Sequence, residues 1–133
     1  MKKELKVGDK ASRSKTFTDN DVKQFAEVST DKNPIHLDEK YAQNTIFKQR
    51  IVHGMLVGSL FSGILGCDLP GEGTIYMGQT LSFKAPVPLN EKVTATVELV
   101  NIRTDKPIAT FKTTCVDSKG KVVIEGEATV RVP

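Results

Sequence analysis

Tryptophan is absent, cysteine occurs only twice, and aromatic residues make up just 6% of the 133 residues. Cys67 and Cys115 lie far apart with no CxxC between them. A disulfide framework is therefore excluded, and two reduced, partly buried thiols are expected. No block of five or six like charges occurs, and 19 Lys+Arg against 16 Asp+Glu leave a net charge of only +3. Lysines are scattered among acids, which argues against nucleic-acid binding as the main activity but leaves room for one small phosphorylated ligand. No unbroken hydrophobic run is long enough for a membrane span. The longest, residues 51–65, is interrupted by His53, Gly54, Gly58, Ser59, Ser62 and Gly63 and suits a buried core helix instead. The opening MKKELKVGDK leads into no apolar segment, so no secretory signal is expected and the cytoplasm is the expected location.

What is present is an ordinary globular balance, 38% hydrophobic and 26% charged. Without repeats or a Pro/Ser/Gly linker, residues 1–133 are expected to form one domain. A chain of this size buries about two-thirds of its unfolded surface, enough for a core without staples.

The pattern changes once, near Gly71-Glu72-Gly73: helices and loops are expected before it and strands after it. Thr18 is the expected N-cap of the first helix. Asp21 completes a capping box, and Phe17 and Val22 occupy the staple positions. Val22, Phe25, Ala26 and Val28 form the apolar stripe, and the helix should end near Ser29, because Asp31-Lys32-Asn33-Pro34 reads as a turn. A short helix over 38–44 is expected, then one from 53 or 54 to about 66. Met55, Leu56, Val57, Leu60, Phe61, Ile64 and Leu65 leave that helix almost no polar face, so it should be enclosed on most sides. Its glycines, each costing about 0.5–1 kcal/mol relative to alanine, point to close packing or a ligand against its backbone.

Strands are expected at 74–77 running into 80–85, then at 92–104, 108–116 and 121–132, with a hairpin turn at Asp117-Ser118-Lys119-Gly120. Short turns make them antiparallel. The expected architecture is α+β, a long curved antiparallel sheet wrapped around the buried helix. Its open edges favour pairing with a second copy.

Two segments carry the chemistry. In Asp31-Lys32-Asn33-Pro34-Ile35-His36, a proline turn can hold a carboxylate and an imidazole together. In an apolar cavity they would make an acid–base pair, the histidine titrating near neutrality. In Ile51-Val52-His53-Gly54-Met55, Gly54 would place a backbone N–H at a helix N-terminus, where a developing oxyanion is stabilised. Singly, each has an ordinary structural role: Asp31 caps a turn, His36 is a satisfied histidine, Gly54 permits packing, and Ser59 and Ser62 bond back to helix carbonyls. His53 has no second histidine or cysteine near it at metal-ligand spacing, and no metal is expected.

Together, Asp31-x-Asn-Pro-x-His36 followed by Ile51-Val52-His53-Gly54-Met55 resembles the MaoC-like dehydratases, in particular the short (R)-specific enoyl-CoA hydratases with the hot dog fold. The resemblance extends along nearly the whole chain, through Phe61-Ser62-Gly63-Ile64-Leu65-Gly66, Leu69-Pro70-Gly71-Glu72-Gly73 and Gln79-Thr80-Leu81-Ser82-Phe83-Lys84-Ala85-Pro86-Val87. It implies reversible syn hydration of a trans-2-enoyl-CoA to the (R)-3-hydroxyacyl-CoA, as in precursor supply for polyhydroxyalkanoate synthesis. Asp31 and His36 would activate water, the Gly54 N–H would bind the thioester oxygen, Asn33 would orient the pair through its side-chain amide, and Asn33 and His53 would belong to the substrate-binding residues. Ser62 and Gly63 would line an acyl tunnel, with Leu65 and Val130 limiting chain length, and Lys84 would meet CoA phosphates. The resemblance further implies a homodimer and no cofactor beyond the CoA of the substrate. The alternatives are a dehydratase acting on acyl carrier protein, a hot dog thioesterase, or a non-catalytic acyl-CoA-binding protein.

Overall fold

The computed structural model describes residues 4–133. In chain order the elements are β1 (Lys10–Thr16), α1 (Asp19–Ser29), α2 (Pro34–Leu37), α3 (Glu39–Gln43) and α4 (Gly54–Cys67), then β2 (Ile75–Gln79), β3 (Ser82–Phe83), β4 (Lys92–Ile102), β5 (Ile108–Val116) and β6 (Val122–Arg131). The sheet order is β1-β4-β5-β6-β2, with β3 also pairing β6, and every pairing is antiparallel.

The sheet has one apolar face because its long strands alternate. Val93, Ala95, Val97 and Leu99 of β4 are buried, as are Ala109, Phe111 and Cys115 of β5 and Ala128 and Val130 of β6. Side chains two apart share a face, and this face receives Val57, Phe61, Ile64 and Leu65 of α4. The helix therefore lies within the curve of the sheet, as the sequence predicts. Close approach is needed where the link between β2 and β3 crosses β6. A Cβ at Gly126 would stand 1.9 Å from the Thr80 carbonyl oxygen, so only glycine fits there.

α1 follows the expected caps. Thr18 and Asp21 form the capping box, and Val22 and Ala26 are buried. Val28, expected on the apolar stripe, is instead 84% exposed, because the stripe ends a turn earlier. β1 was not expected: KASRSKT shows no apolar alternation, and nearly all of it is exposed. It is an edge strand held by its ladder to β4 and by hydroxyl pairs such as Ser12–Thr96 at 2.7 Å. α2 replaces the second half of an expected plain turn. α4 is not enclosed all round. Met55, Ser59, Ser62 and Cys67 leave one stripe exposed, opposite the face on the sheet. Both cysteines are free, with Cys67 exposed rather than partly buried, and burial pushes the Cys115 thiol up to about 12.

Candidate active site

Three successive side-chain caps build the turn after α1. The Ser29 hydroxyl accepts the Asp31 N–H at 3.1 Å, Asp31 Oδ1 accepts the Asn33 N–H at 3.1 Å, and Asn33 Oδ1 accepts the Ile35 N–H at 3.2 Å. Asn33 is thereby the N-cap of α2, with Pro34 at its first position, where a missing N–H does no harm. Asn33 thus acts on the pair by capping, its amide oxygen being spent on the backbone. The single turn of α2 swings His36 back over Asp31.

His36 is largely buried, and its Nδ1 lies 2.8 Å from the Ile51 carbonyl oxygen. A carbonyl only accepts, so Nδ1 carries the proton and Nε2 presents a lone pair. That Nε2 stands 3.9 Å from Asp31 Oδ2. The gap is too long for a direct hydrogen bond, but one water can sit within about 2.8 Å of both atoms.

His53 precedes α4 and is buried beneath this pair. Its ring stacks on His36 with centroids 3.8 Å apart and meets the Phe25 ring edge-on at 4.9 Å. Its Nε2 donates to the Asp31 carbonyl at 3.0 Å, while its Nδ1 is buried without a partner among the described residues. Burial pushes the His53 pKa down, and the nearby His36 adds to this; the Asp31 carbonyl works the other way. His53 is therefore a neutral ring holding the Asp31 backbone.

Gly54 is the first residue of α4, so its N–H has no partner within the helix. A Cβ there would meet Phe83 Cε1 at 2.6 Å, so glycine keeps the Phe83 ring close to the helix N-terminus. A cavity of about 620 Å³ opens here, with Asp31, His53 and Gly54 in its wall and Phe25, Phe47, Val57, Phe83 and Ile124 making it mainly apolar. Lys84 lines it too, half exposed and 3.5 Å from Glu125. A second cavity of about 530 Å³ lies between α4 and β2, and Ser62 lines it. Phe25 and Met55 belong to both walls.

The structure thus gathers Asp31, Asn33, His36, His53 and Gly54 at one place. It does not bring Gly63, Leu65 or Val130 to either cavity. A Cβ at Gly63 would stand 3.4 Å from the Arg13 guanidinium. Leu65 and Val130 are 1% and 0% exposed in the core between α4 and the sheet, because their side chains fall on the faces that pack together. The sequence reading also missed Arg50. Its Nε donates to the His36 carbonyl and its Nη2 to Asp19 Oδ1, each at 2.7 Å. No local pattern marks it, since both partners are distant in sequence.

Contrary to the expectation from sequence spacing, His53 does have a second histidine beside it, because the fold stacks His36 on it. Asp31, His36 and His53 each offer a donor atom, all within 4.8 Å of one another. The donor types suit zinc, but an ion bound to an imidazole lies in the ring plane about 2.1 Å from the nitrogen. Two rings inclined by only 23° at 3.8 Å share no such point nearby. The residues present do not converge on an ion. No helix among the described residues is long and apolar enough to cross a membrane.

A capped Asp–His turn facing a buried glycine-led helix, on a sheet wrapped around that helix, defines the class of protein. The chain belongs to the MaoC-like family, whose domain model matches residues 2–121. It is 52% identical to an (R)-specific enoyl-CoA hydratase of Rhodospirillum rubrum, over 98% of this chain and 90% of that protein. It superposes with a TM-score of 0.96 on an (R)-hydratase from A. caviae involved in PHA biosynthesis. That protein is also 52% identical, with 97% of this chain and 98% of that one covered. The fold is the hot dog fold. It is 41% identical to a mitochondrial 3-hydroxyacyl-[acyl-carrier-protein] dehydratase of Solanum lycopersicum, over 97% of this chain and 78% of that protein.

Proposed function

We propose that the protein is an (R)-specific enoyl-CoA hydratase, a hydro-lyase that adds water reversibly to trans-2-enoyl-CoA thioesters. The observation that carries this reading is the Asp31–His36 pair. Asp31 lines an apolar cavity and His36 Nε2 stands 3.9 Å from its carboxylate, on a fold shared at 52% identity with two such hydratases.

The Gly54 N–H, backed by the α4 dipole, hydrogen-bonds the thioester carbonyl oxygen and stabilises the enolate-like transition state. This polarises the conjugated double bond and makes C3 electrophilic. Asp31 and His36 hold one water between them. The pair takes a proton from this water as its oxygen bonds to C3 and passes that proton on to C2, so H and OH of one water are both added and the pair ends as it began. Both groups lie on the same side of the substrate, so the addition is syn. His53 stays neutral and keeps the Asp31 backbone in place, and Asn33 holds the turn. No metal or organic cofactor enters the scheme. In this reading Lys84, at the wall of the first cavity, meets a CoA phosphate, and Ser62, at the wall of the second, contacts the acyl chain.

The reading includes a single catalytic domain over residues 1–133, a homodimer and a cytoplasmic location. Supply of (R)-3-hydroxyacyl-CoA for polyhydroxyalkanoate synthesis is the use that the A. caviae relative suggests. The identity to a 3-hydroxyacyl-[acyl-carrier-protein] dehydratase favours one second reading, the same chemistry on a carrier-bound acyl group.

The test is to follow crotonyl-CoA with the purified protein while assaying free thiol. Loss of enoyl absorbance without thiol release supports the hydratase. Thiol release identifies a thioesterase, and no change in either signal a binding protein. Crotonyl-acyl carrier protein turned over at least tenfold more efficiently than crotonyl-CoA would move the reading to the carrier-bound substrate.

A further inference from the structure

α2 is a single turn of four residues, too short to hold itself by helix propagation. The carbonyls at the end of such a turn need outside partners. Pro34 O accepts from the Asp38 N–H at 2.9 Å, and Ile35 O from the Ile51 N–H at 3.3 Å. The carbonyl of His36 itself is filled by a side chain, Arg50 Nε at 2.7 Å. The same guanidinium reaches Asp19 Oδ1 at 2.7 Å, in the first turn of α1. Arg50 is nearly buried, its side chain only 14% exposed, whereas the Asp19 carboxyl at the outer arm is 47% exposed. Lys23 and then Arg50 hold the Asp19 carboxyl below the usual carboxylate range, keeping the partner charged.

We infer that Arg50 is a positioning residue for His36, a two-armed clamp that ties the backbone of the proton-transferring histidine to α1. The inference rests on the proposed hydratase reading for its kinetic consequence only. The clamp complements the bond from His36 Nδ1 to the Ile51 carbonyl. One sets the ring and the other sets the backbone beneath it, and Arg50 and Ile51 are adjacent in sequence. The segment entering α4 thus grips His36 at both ends. Arginine is required because its rigid fork serves two acceptors at once, which a lysine ammonium on a flexible stem does poorly. Arg50 lines neither cavity and its guanidinium is spent on the His36 carbonyl and Asp19, so it acts through His36 rather than on the substrate.

The experiment compares the parent with Arg50→Met, Arg50→Lys and Asp19→Asn, using crotonyl-CoA. Arg50→Met is expected to lower kcat by about tenfold to hundredfold with KM changed less than about threefold, since the loss falls on alignment in the transition state. Arg50→Lys should recover part of kcat, and Asp19→Asn, which frees only the outer arm, should lose about two- to tenfold. A kcat within twofold of the parent in a folded Arg50→Met protein overturns the inference. So does a rise in KM with kcat unchanged, which would make Arg50 a substrate-binding cation. Asp19→Asn decides the matter if Arg50→Met fails to fold: kcat within 1.5-fold of the parent then overturns the clamp. Nitrogen-15 NMR of the His36 ring in the same proteins needs no turnover. A changed tautomer or exchange-broadened ring nitrogens in Arg50→Met or Asp19→Asn supports the clamp even if the parent hydrates no enoyl thioester. An unaltered ring in both variants contradicts it.

Discussion

At the scale of the residue, two neighbouring histidines are held in different states. His36 meets the Ile51 carbonyl through Nδ1 and presents Nε2 toward Asp31, whereas His53 donates through Nε2 and keeps an unpartnered Nδ1. A positioned acid or base contributes about 10²–10⁴ in rate. Asp31→Asn and His36→Gln are therefore each expected to lower kcat by at least about 10² with the fold intact by circular dichroism. A folded variant that loses less than tenfold would remove that residue from the chemistry. His53 makes a separate prediction about stability. Its folded-state pKa lies below the ordinary value of 6.5, burial being the main cause. Below that pH the unfolded chain binds a proton that the folded chain refuses, so stability is complete above it and lost as the pH falls. Between pH 7.0 and about 5.5 the melting temperature should fall, and less steeply in His53→Gln. Parallel curves for the two proteins would show that His53 carries none of this dependence.

At the scale of the element, α4 does two jobs with two faces. Its N-terminus faces the catalytic cavity, and Val57, Phe61, Ile64 and Leu65 anchor it in the sheet. Phe61 is fully buried at the centre of that contact. Truncating a buried phenylalanine removes its transfer energy and leaves a cavity, at about 3–5 kcal/mol. Phe61→Ala should lose about that much in urea unfolding, and a loss under 1 kcal/mol would mean that α4 is not the core of the fold. These elements were unequally legible in the sequence. Helices α1 and α4 could be read because Thr18, Asp21 and the apolar stripe are local signals. The long strands β4, β5 and β6 alternate and could be read for the same reason. β1 could not, because an exposed edge strand buries nothing that would impose a period, and its partner β4 lies far along the chain. Asp31, His36 and Gly54 were visible through their motifs. The stacking of His36 on His53 and the bonds of Arg50 were not, since both depend on how two distant segments dock. Leu65 and Val130 were placed by analogy, and the packing of α4 on the sheet takes them into the core.

At the scale of the whole molecule, the two edges of the sheet differ. β1 carries lysines and an arginine, which discourage pairing with another chain. β2, at the other edge, exposes Ile75, Tyr76 and Met77 at 57%, 38% and 55%, with Phe83 at 53% on β3. An apolar, uncharged edge of this kind would suit pairing with a second copy. Sedimentation equilibrium should return twice the chain mass of 14.6 kDa at micromolar concentration. Met77→Lys should shift the protein toward monomer. A parent that remains monomeric would contradict the dimer.

The most direct test of the central claim, that one Asp–His pair delivers both parts of a single water, is the stereochemistry of hydration of crotonyl-CoA in deuterium oxide. Two groups 3.9 Å apart on one side of the substrate add oxygen and deuterium to the same face. The expected product is (R)-3-hydroxybutyryl-CoA with deuterium at C2 on the face that received the hydroxyl. An (S) product, or deuterium on the opposite face, would contradict the claim.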